Sequence, residues 1–183
     1  MVFRLLEGKN VNLRIMEKED LPLFVEWLNE PEVLGEYNPL RQVSRTEIEK
    51  GFEKDTTVFS DFIVEKKDGS KIGFICHFDV VHPAGKHLEI GYSLVPSERG
   101  KGYGTEAAEI MVDYLFLSKD VMRVQACTDV RNLASQKALE KAGFKREGIQ
   151  RKGFFSRGEW TNDYMYSILR EEWKEPKILT RTV

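Results

Sequence analysis

Three glycines alternate along Arg99-Gly100-Lys101-Gly102-Tyr103-Gly104-Thr105, between a strand-like run that ends at Val95 and a run of helical period that continues to Leu117. A chain that passes from strand to helix through such a turn leaves the first helical amides without internal partners, and the aligned peptide dipoles add partial positive charge there. Glycine lets an oxyanion approach the main chain, and Arg99 and Lys101 contribute full charges, so the segment predicts a cradle for a pyrophosphate. Two nucleotide-binding arrangements fail on spacing. A dinucleotide fingerprint needs a glycine where Thr105 stands, and a P-loop needs Ser or Thr after Gly-Lys, where Lys101 is followed by Gly102.

The elements around this turn follow from periodicity. Val11-Asn12-Leu13-Arg14-Ile15 alternates as a strand, and Lys18 to Asn29 carries Leu21, Phe24, Val25 and Leu28 at helical spacing, with Pro31 expected to end that helix. Ser44, with Glu47 three residues on, predicts a capped helix that ends near Lys54. Between them, Glu32 to Val43 fits neither period and reads as a loop that lines a site. Thr57–Glu65, Ile72–Val81 and Leu88–Val95 form a meander whose first turn is Lys67-Asp68-Gly69-Ser70. Gly102–Leu117 is a helix with Ala107, Ala108, Met111, Val112, Leu115 and Phe116 on its apolar face, followed by a strand at Arg123–Cys127. A helix from Asn132 to Lys141, stopped by a left-handed Gly143, precedes Phe144–Gly153 and Trp160–Leu169, which Ser156-Arg157-Gly158 joins. The order predicts an α/β (α+β) fold: a mixed, mostly antiparallel twisted sheet of about seven strands with helices on both faces. A single domain over residues 1–183 is expected, with its core at about 11–169 and a tail at 170–183.

Composition removes several classes of function. The 183 residues, 41% of them hydrophobic, suit one compact domain, and a net charge of −2 leaves no cationic excess for nucleic acid. No apolar run approaches the roughly 20 residues of a membrane span, and no signal peptide opens the chain, so a cytoplasmic protein is expected. Cys76 and Cys127 read as buried thiols, and His77, His82 and His87, at no ligand spacing, as solvated or strand-edge residues; no metal is expected.

At Arg99, Gly102 and Gly104 the sequence resembles the GCN5-related N-acetyltransferase (GNAT) family, whose loop reads Gln/Arg-x-x-Gly-x-Gly/Ala. The element order from Val11 to Leu169 is also that family's. Glu89-Ile90-Gly91-Tyr92-Ser93-Leu94, and Asn132-x-x-Ser135 followed by Lys141-Ala142-Gly143-Phe144, are similar to the Rim-type branch of ribosomal-protein N-terminal acetyltransferases. The resemblance implies acetyl-CoA as cofactor and fourth and fifth strands, here Leu88–Val95 and Arg123–Cys127, that splay around the pantetheine arm. Leu94 and Val95 would make main-chain contacts to that arm, Arg99, Gly100, Lys101, Gly102, Tyr103, Gly104 and Thr105 would hold the pyrophosphate, and Asn132 would touch the arm.

Acetyl transfer to an amine removes one proton and supplies another. Glu89, an acid inside an apolar strand, is the candidate base, its proton affinity raised by partial burial. The family's tyrosine acid stands seven residues beyond the asparagine, where this sequence has Leu139, so Ser135 is the candidate donor to the departing thiolate. Alternatively Asn132 merely caps its helix and Ser135 sits in the first turn. The acceptor is a primary amine: a protein N-terminal amine, or a polyamine, aminoglycoside or other small amine, with Glu30, Glu32 and Glu36 attracting its charge. Tyr37, in the irregular loop, is a candidate for the roof of that site. Arg131 and Lys137, near the Asn132 helix, are read as solvated. A homodimer is compatible with the sequence. Two other classes stay open: a sensor that binds acetyl-CoA without turnover, and a fold that binds NAD or ATP.

Overall fold

Alternation and turn chemistry build eight strands: β1 (Leu6–Glu7), β2 (Val11–Ile15), β3 (Phe59–Lys66), β4 (Lys71–His82), β5 (Gly85–Leu94), β6 (Arg123–Asp129), β7 (Lys145–Ser156) and β8 (Glu159–Leu169). The computed structural model describes residues 6–53, 59–82, 85–176 and 178, so the expected boundaries at Lys54 and Thr57 fall outside the described residues. The strands form one sheet in the order β1-β2-β3-β4-β5-β6-β8-β7. Every pairing is antiparallel except β5 with β6. The strand beyond the expected seven is β1, whose two residues are too short to show a period.

The helices are α1 (Leu21–Asn29), α2 (Pro31–Leu34), α3 (Arg45–Glu53), α4 (Tyr103–Ser118) and α5 (Leu133–Lys141). The helix expected from Lys18 opens instead as a single tight turn, Lys18–Asp20, and α1 follows with Pro22 in its first turn. Pro31 ends α1 as expected, with Glu30 before it in extended backbone, and it also begins α2, where its missing amide costs no internal bond. Ser44 caps α3 as expected, its hydroxyl accepting from the Glu47 amide at 3.1 Å.

Each face of the sheet carries its own apolar layer. On one, Leu13, Ile75, Ile90 and Val124 pack against the predicted apolar face of α4, where Ala107, Ala108, Met111 and Leu115 are fully buried. On the other, Phe24, Trp27 and Leu28 of α1 cover Ile63, and Phe24 meets the Phe74 ring edge-on at 5.1 Å. Asp20 anchors α1 to the sheet: it is buried and accepts both Arg14 guanidinium nitrogens, at 2.8 and 2.9 Å, and the Lys71 ammonium at 2.6 Å. Packing continues past Leu169, the expected end of the core. The Trp173 indole donates to Asp113 at 2.7 Å and its ring lies against Phe116, while Ile178 donates its amide to Asp113 at 2.9 Å.

Candidate active site

The sheet opens along one line. Strands β5 and β6 pair only at Leu88 with Val124 and Glu89 with Gln125, after which Ile90–Leu94 and Ala126–Asp129 diverge. Main-chain groups along a strand point alternately to its two neighbours. The Val95 amide donates to Ile72 of β4 at 2.9 Å, so Ser93 and Gly91 also face β4; Ile90 faces β6 and its amide closes the last rung of that ladder against Gln125, whereas Tyr92 and Leu94 present their amides to the gap. The expected main-chain contacts are thereby corrected: Leu94 stands on the open edge, but the Val95 amide is already used within the sheet.

Beyond the gap lies the glycine turn. Gly100 and Gly102 have φ of 75° and 87°, left-handed values, and no atom lies within 4 Å of an added Cβ, so conformation rather than crowding demands glycine there. The first internal bond of α4 runs from the Glu106 amide to the Gly102 carbonyl at 3.1 Å, and no side chain caps the helix. The amides of Tyr103, Gly104 and Thr105 therefore have no partner among the described residues, a donor set that fits a pyrophosphate. The two cations act differently from the expectation. Arg99 donates Nε to the Leu94 carbonyl at 3.0 Å and Nη2 to the Glu32 and Val33 carbonyls at 2.6 and 2.8 Å, tying α2 to the end of β5. Lys101 pairs with Glu98 at 3.1 Å. Arg99 is tied to main-chain carbonyls, whereas Lys101, half exposed, makes a weak surface pair with Glu98.

On the α1 side of the sheet, a cavity of about 1020 Å³ reaches from the gap to α3. Glu89 lies half-buried on its wall at the last residue pair before the strands part, and the buried Gln125 amide donates to its carboxylate at 2.6 Å. Asp61 on β3 and Asp163 on β8 line the same cavity, and neither was read as a site residue. Burial pushes the Asp61 carboxyl up to about 6 against the opposing charge of Arg41, and burial together with the charge of Asp129 also raises Asp163. The signal for Asp61 was present in the sequence as an acid within the apolar run Phe59–Val64. By contrast, Glu30, Glu32 and Glu36 are exposed and outside the cavity lining. Cys76 and Cys127 stand half-buried on the wall, and burial pushes both thiols up to about 12. His77, expected at a strand edge or in solvent, is buried between Phe62 and Tyr114, and desolvation lowers its imidazole to about 4.

Asn132 and Ser135 meet as the sequence suggested. The Asn132 side chain caps α5 by accepting the Ser135 amide at 3.1 Å, which leaves the serine hydroxyl available on the cavity wall. That hydroxyl lies 3.2 Å from the phenol of Tyr92, on β5. Leu139, in the position of the family's tyrosine, is fully buried on the same wall.

The irregular loop after α2 roofs the cavity through Tyr37 and Asn38. The β7–β8 hairpin holds it: Ser156 donates to the Tyr37 carbonyl at 3.1 Å, and Arg157 to the carbonyls of Asn38 and Gly35 at 3.2 and 3.1 Å. Arg131, expected to be solvated, bonds Asp129 and Glu159 at 2.7 Å each and sits 5.6 Å from the Tyr37 ring centroid.

The sequence profile of the GNAT acetyltransferase domain matches residues 10–145. An uncharacterized N-acetyltransferase, p20, from Bacillus licheniformis is 30% identical over 92% of this chain and 97% of its own. Among solved structures, Mycobacterium smegmatis RimJ in complex with CoA-disulfide superposes with a TM-score of 0.80 at 23% identity, covering 96% of this chain and 88% of its own. Vibrio cholerae spermidine N-acetyltransferase in complex with CoA and spermine gives 0.79 at 22% identity, over 89% of this chain and 97% of its own. Among the described residues no helix is long and apolar enough to cross a membrane. A sheet that parts beside an uncapped, glycine-led helix thus has its counterpart in the comparisons: the chain belongs to the GNAT family and is an acetyl-CoA-dependent N-acetyltransferase.

Proposed function

We propose that the acceptor is a primary amine on a small molecule with more than one positive charge, of the polyamine type. Acetyl-CoA supplies an activated acetyl carbonyl; the rest is done by side chains and amides of this chain. The open edge at Tyr92 and Leu94 holds the pantetheine arm, and the free amides of Tyr103, Gly104 and Thr105, at the turn formed by Gly100 and Gly102, hold the pyrophosphate. Glu89 takes the proton of the attacking ammonium through a water, and Ser135 gives one to the departing sulfur. One observation carries the reading: the Glu89 carboxylate, fixed by Gln125 at 2.6 Å, stands where the strands part and where thioester and amine would meet. Asp61 and Asp163 deeper in the same cavity suit further ammonium groups of the acceptor.

A second reading, a protein N-terminal amine, is favoured by the fold likeness to RimJ at a TM-score of 0.80. A homodimer belongs to either reading, with the outer edge of β7 and the exposed Phe154, Phe155 and Trp160 as the candidate face. Thiol release from acetyl-CoA, measured with spermidine and spermine beside peptides of varied N-terminal residue, tests the choice. The polyamines should lead by about tenfold or more in kcat/KM, and Glu89→Gln should lose on the order of 100-fold in kcat. Faster release with peptides selects the second reading, and full turnover by the Gln variant removes Glu89 as the base.

A further inference from the structure

Ser135 alone is a poor end point for the donor side of the reaction. A hydroxyl that gives up its proton unaided becomes an alkoxide, a far stronger base than a thiolate. Proton transfer to a departing sulfur needs an ultimate donor more acidic than an aliphatic hydroxyl, and a phenol, even one that burial holds above its ordinary range of about 10, lies far nearer than serine to a thiol at about 8.5. Such a group stands beside the serine. The Tyr92 hydroxyl is 3.2 Å from Ser135 Oγ, and both residues line the cavity. The ring is fixed from two sides. It packs against the apolar layer under α4, and Gly104, at the start of that helix, brings its Cβ position to 3.5 Å from the ring's Cε2. Leu139 is a leucine on the α5 wall, so the phenol reaches the serine from the β5 side of the gap instead.

We propose that Tyr92 is the source of the proton that reaches the leaving sulfur, relayed through the hydroxyl of Ser135. This rests on the reading of Ser135 as the donor. As the carbon–sulfur bond breaks, the sulfur takes the Ser135 proton, Ser135 Oγ takes the Tyr92 proton, and the phenolate recovers one from solvent. Nothing is oxidised or reduced, and the negative charge passes from sulfur to phenol oxygen to water. Burial holds the Tyr92 phenol above its ordinary range, with the Ser135 hydrogen bond opposing, so the residue begins each cycle protonated at neutral pH and its phenolate reclaims a proton readily. Tyr92 holds the pantetheine arm through its main chain alone; its side chain acts through Ser135, as a positioning and relay group.

Tyr92→Phe keeps the ring and removes the hydroxyl. With acetyl-CoA saturating and the fastest amine of the panel as acceptor, its kcat should fall at least tenfold, while KM for acetyl-CoA and calorimetric affinity for coenzyme A stay within about twofold. Ser135→Ala should fall by a similar factor, and the double variant no further, because the two hydroxyls form one relay. Full turnover by Tyr92→Phe beside a slow Ser135→Ala overturns the relay and leaves Ser135 as donor. Full turnover by Ser135→Ala removes the donor reading and the relay with it. Losses that multiply in the double variant, or coenzyme A affinity weakened tenfold in Tyr92→Phe, show a packing role and also overturn the relay.

Discussion

Asp61 illustrates how position, more than residue type, sets the chemistry of a side chain. Folding raises its carboxyl from 3.8 to about 6, so the folded state disfavours the ionised form; the contribution of this one group to stability is fullest below about pH 4 and is lost as the pH rises through about 6. The cost above that range is on the order of 3 kcal/mol, from a shift of about two units. Asp61→Asn should therefore melt higher than the wild type near pH 7.5, by roughly 5 to 10 °C, with the gain vanishing near pH 4 in a thermal scan. The same variant should raise KM for a polycationic acceptor. A variant that melts lower at neutral pH contradicts the burial argument. Arg99 makes the complementary point: its identity was legible in the sequence, its partners were not. The motif marks an arginine beside an anion cradle, yet its donors go to carbonyls of residues 32, 33 and 94, two of them more than 60 positions away.

Two glycines at helix ends share one backbone conformation for different purposes. Gly143, at φ 93°, closes α5: its amide bonds Glu140 at 3.1 Å and the next, of Phe144, bonds Leu139 at 3.0 Å, the paired pattern of a left-handed helix stop. Gly102, at φ 87°, opens α4 at the turn proposed to hold the pyrophosphate. An L-residue at either angle costs about 1–2 kcal/mol. Gly143→Ala should lower the melting temperature, aggravated by Ile168 at 3.4 Å from the new Cβ, with coenzyme A affinity unchanged; Gly102→Ala should lower both, as calorimetry on the two variants will show. Elements of this kind were readable because helical and strand periods, caps and turn residues are local. What was missed depended on other things: α2, a single turn too short for a helical period; β1, too short for a strand period; and Asp61 and Asp163, whose shared cavity exists only once β3 and β8 lie in one sheet.

At the scale of the whole molecule, the site is assembled from distant parts of the chain. A loop near residue 37 is held by a hairpin near 156, and that closure is invisible to any local pattern. The glycine turn and its uncapped helix start, by contrast, were legible as a motif because they lie within seven consecutive residues. The parting of β5 from β6 has a mechanical consequence. Among the described residues two residue pairs of main-chain ladder join the half of the sheet formed by β1–β5 to the half formed by β6–β8, so the sheet has a seam, and the pantetheine arm, placed as proposed beside Tyr92–Leu94, would serve as a removable stitch. Amide exchange followed residue by residue should show it as a dotted line: on addition of coenzyme A, Tyr92 and Leu94 should slow by tenfold or more, while Gly91, Ser93 and Val95, already bonded to β4, should stay as they were. The enzyme's substrate is then also a temporary part of its framework, and turnover alternates a stitched sheet with an open one.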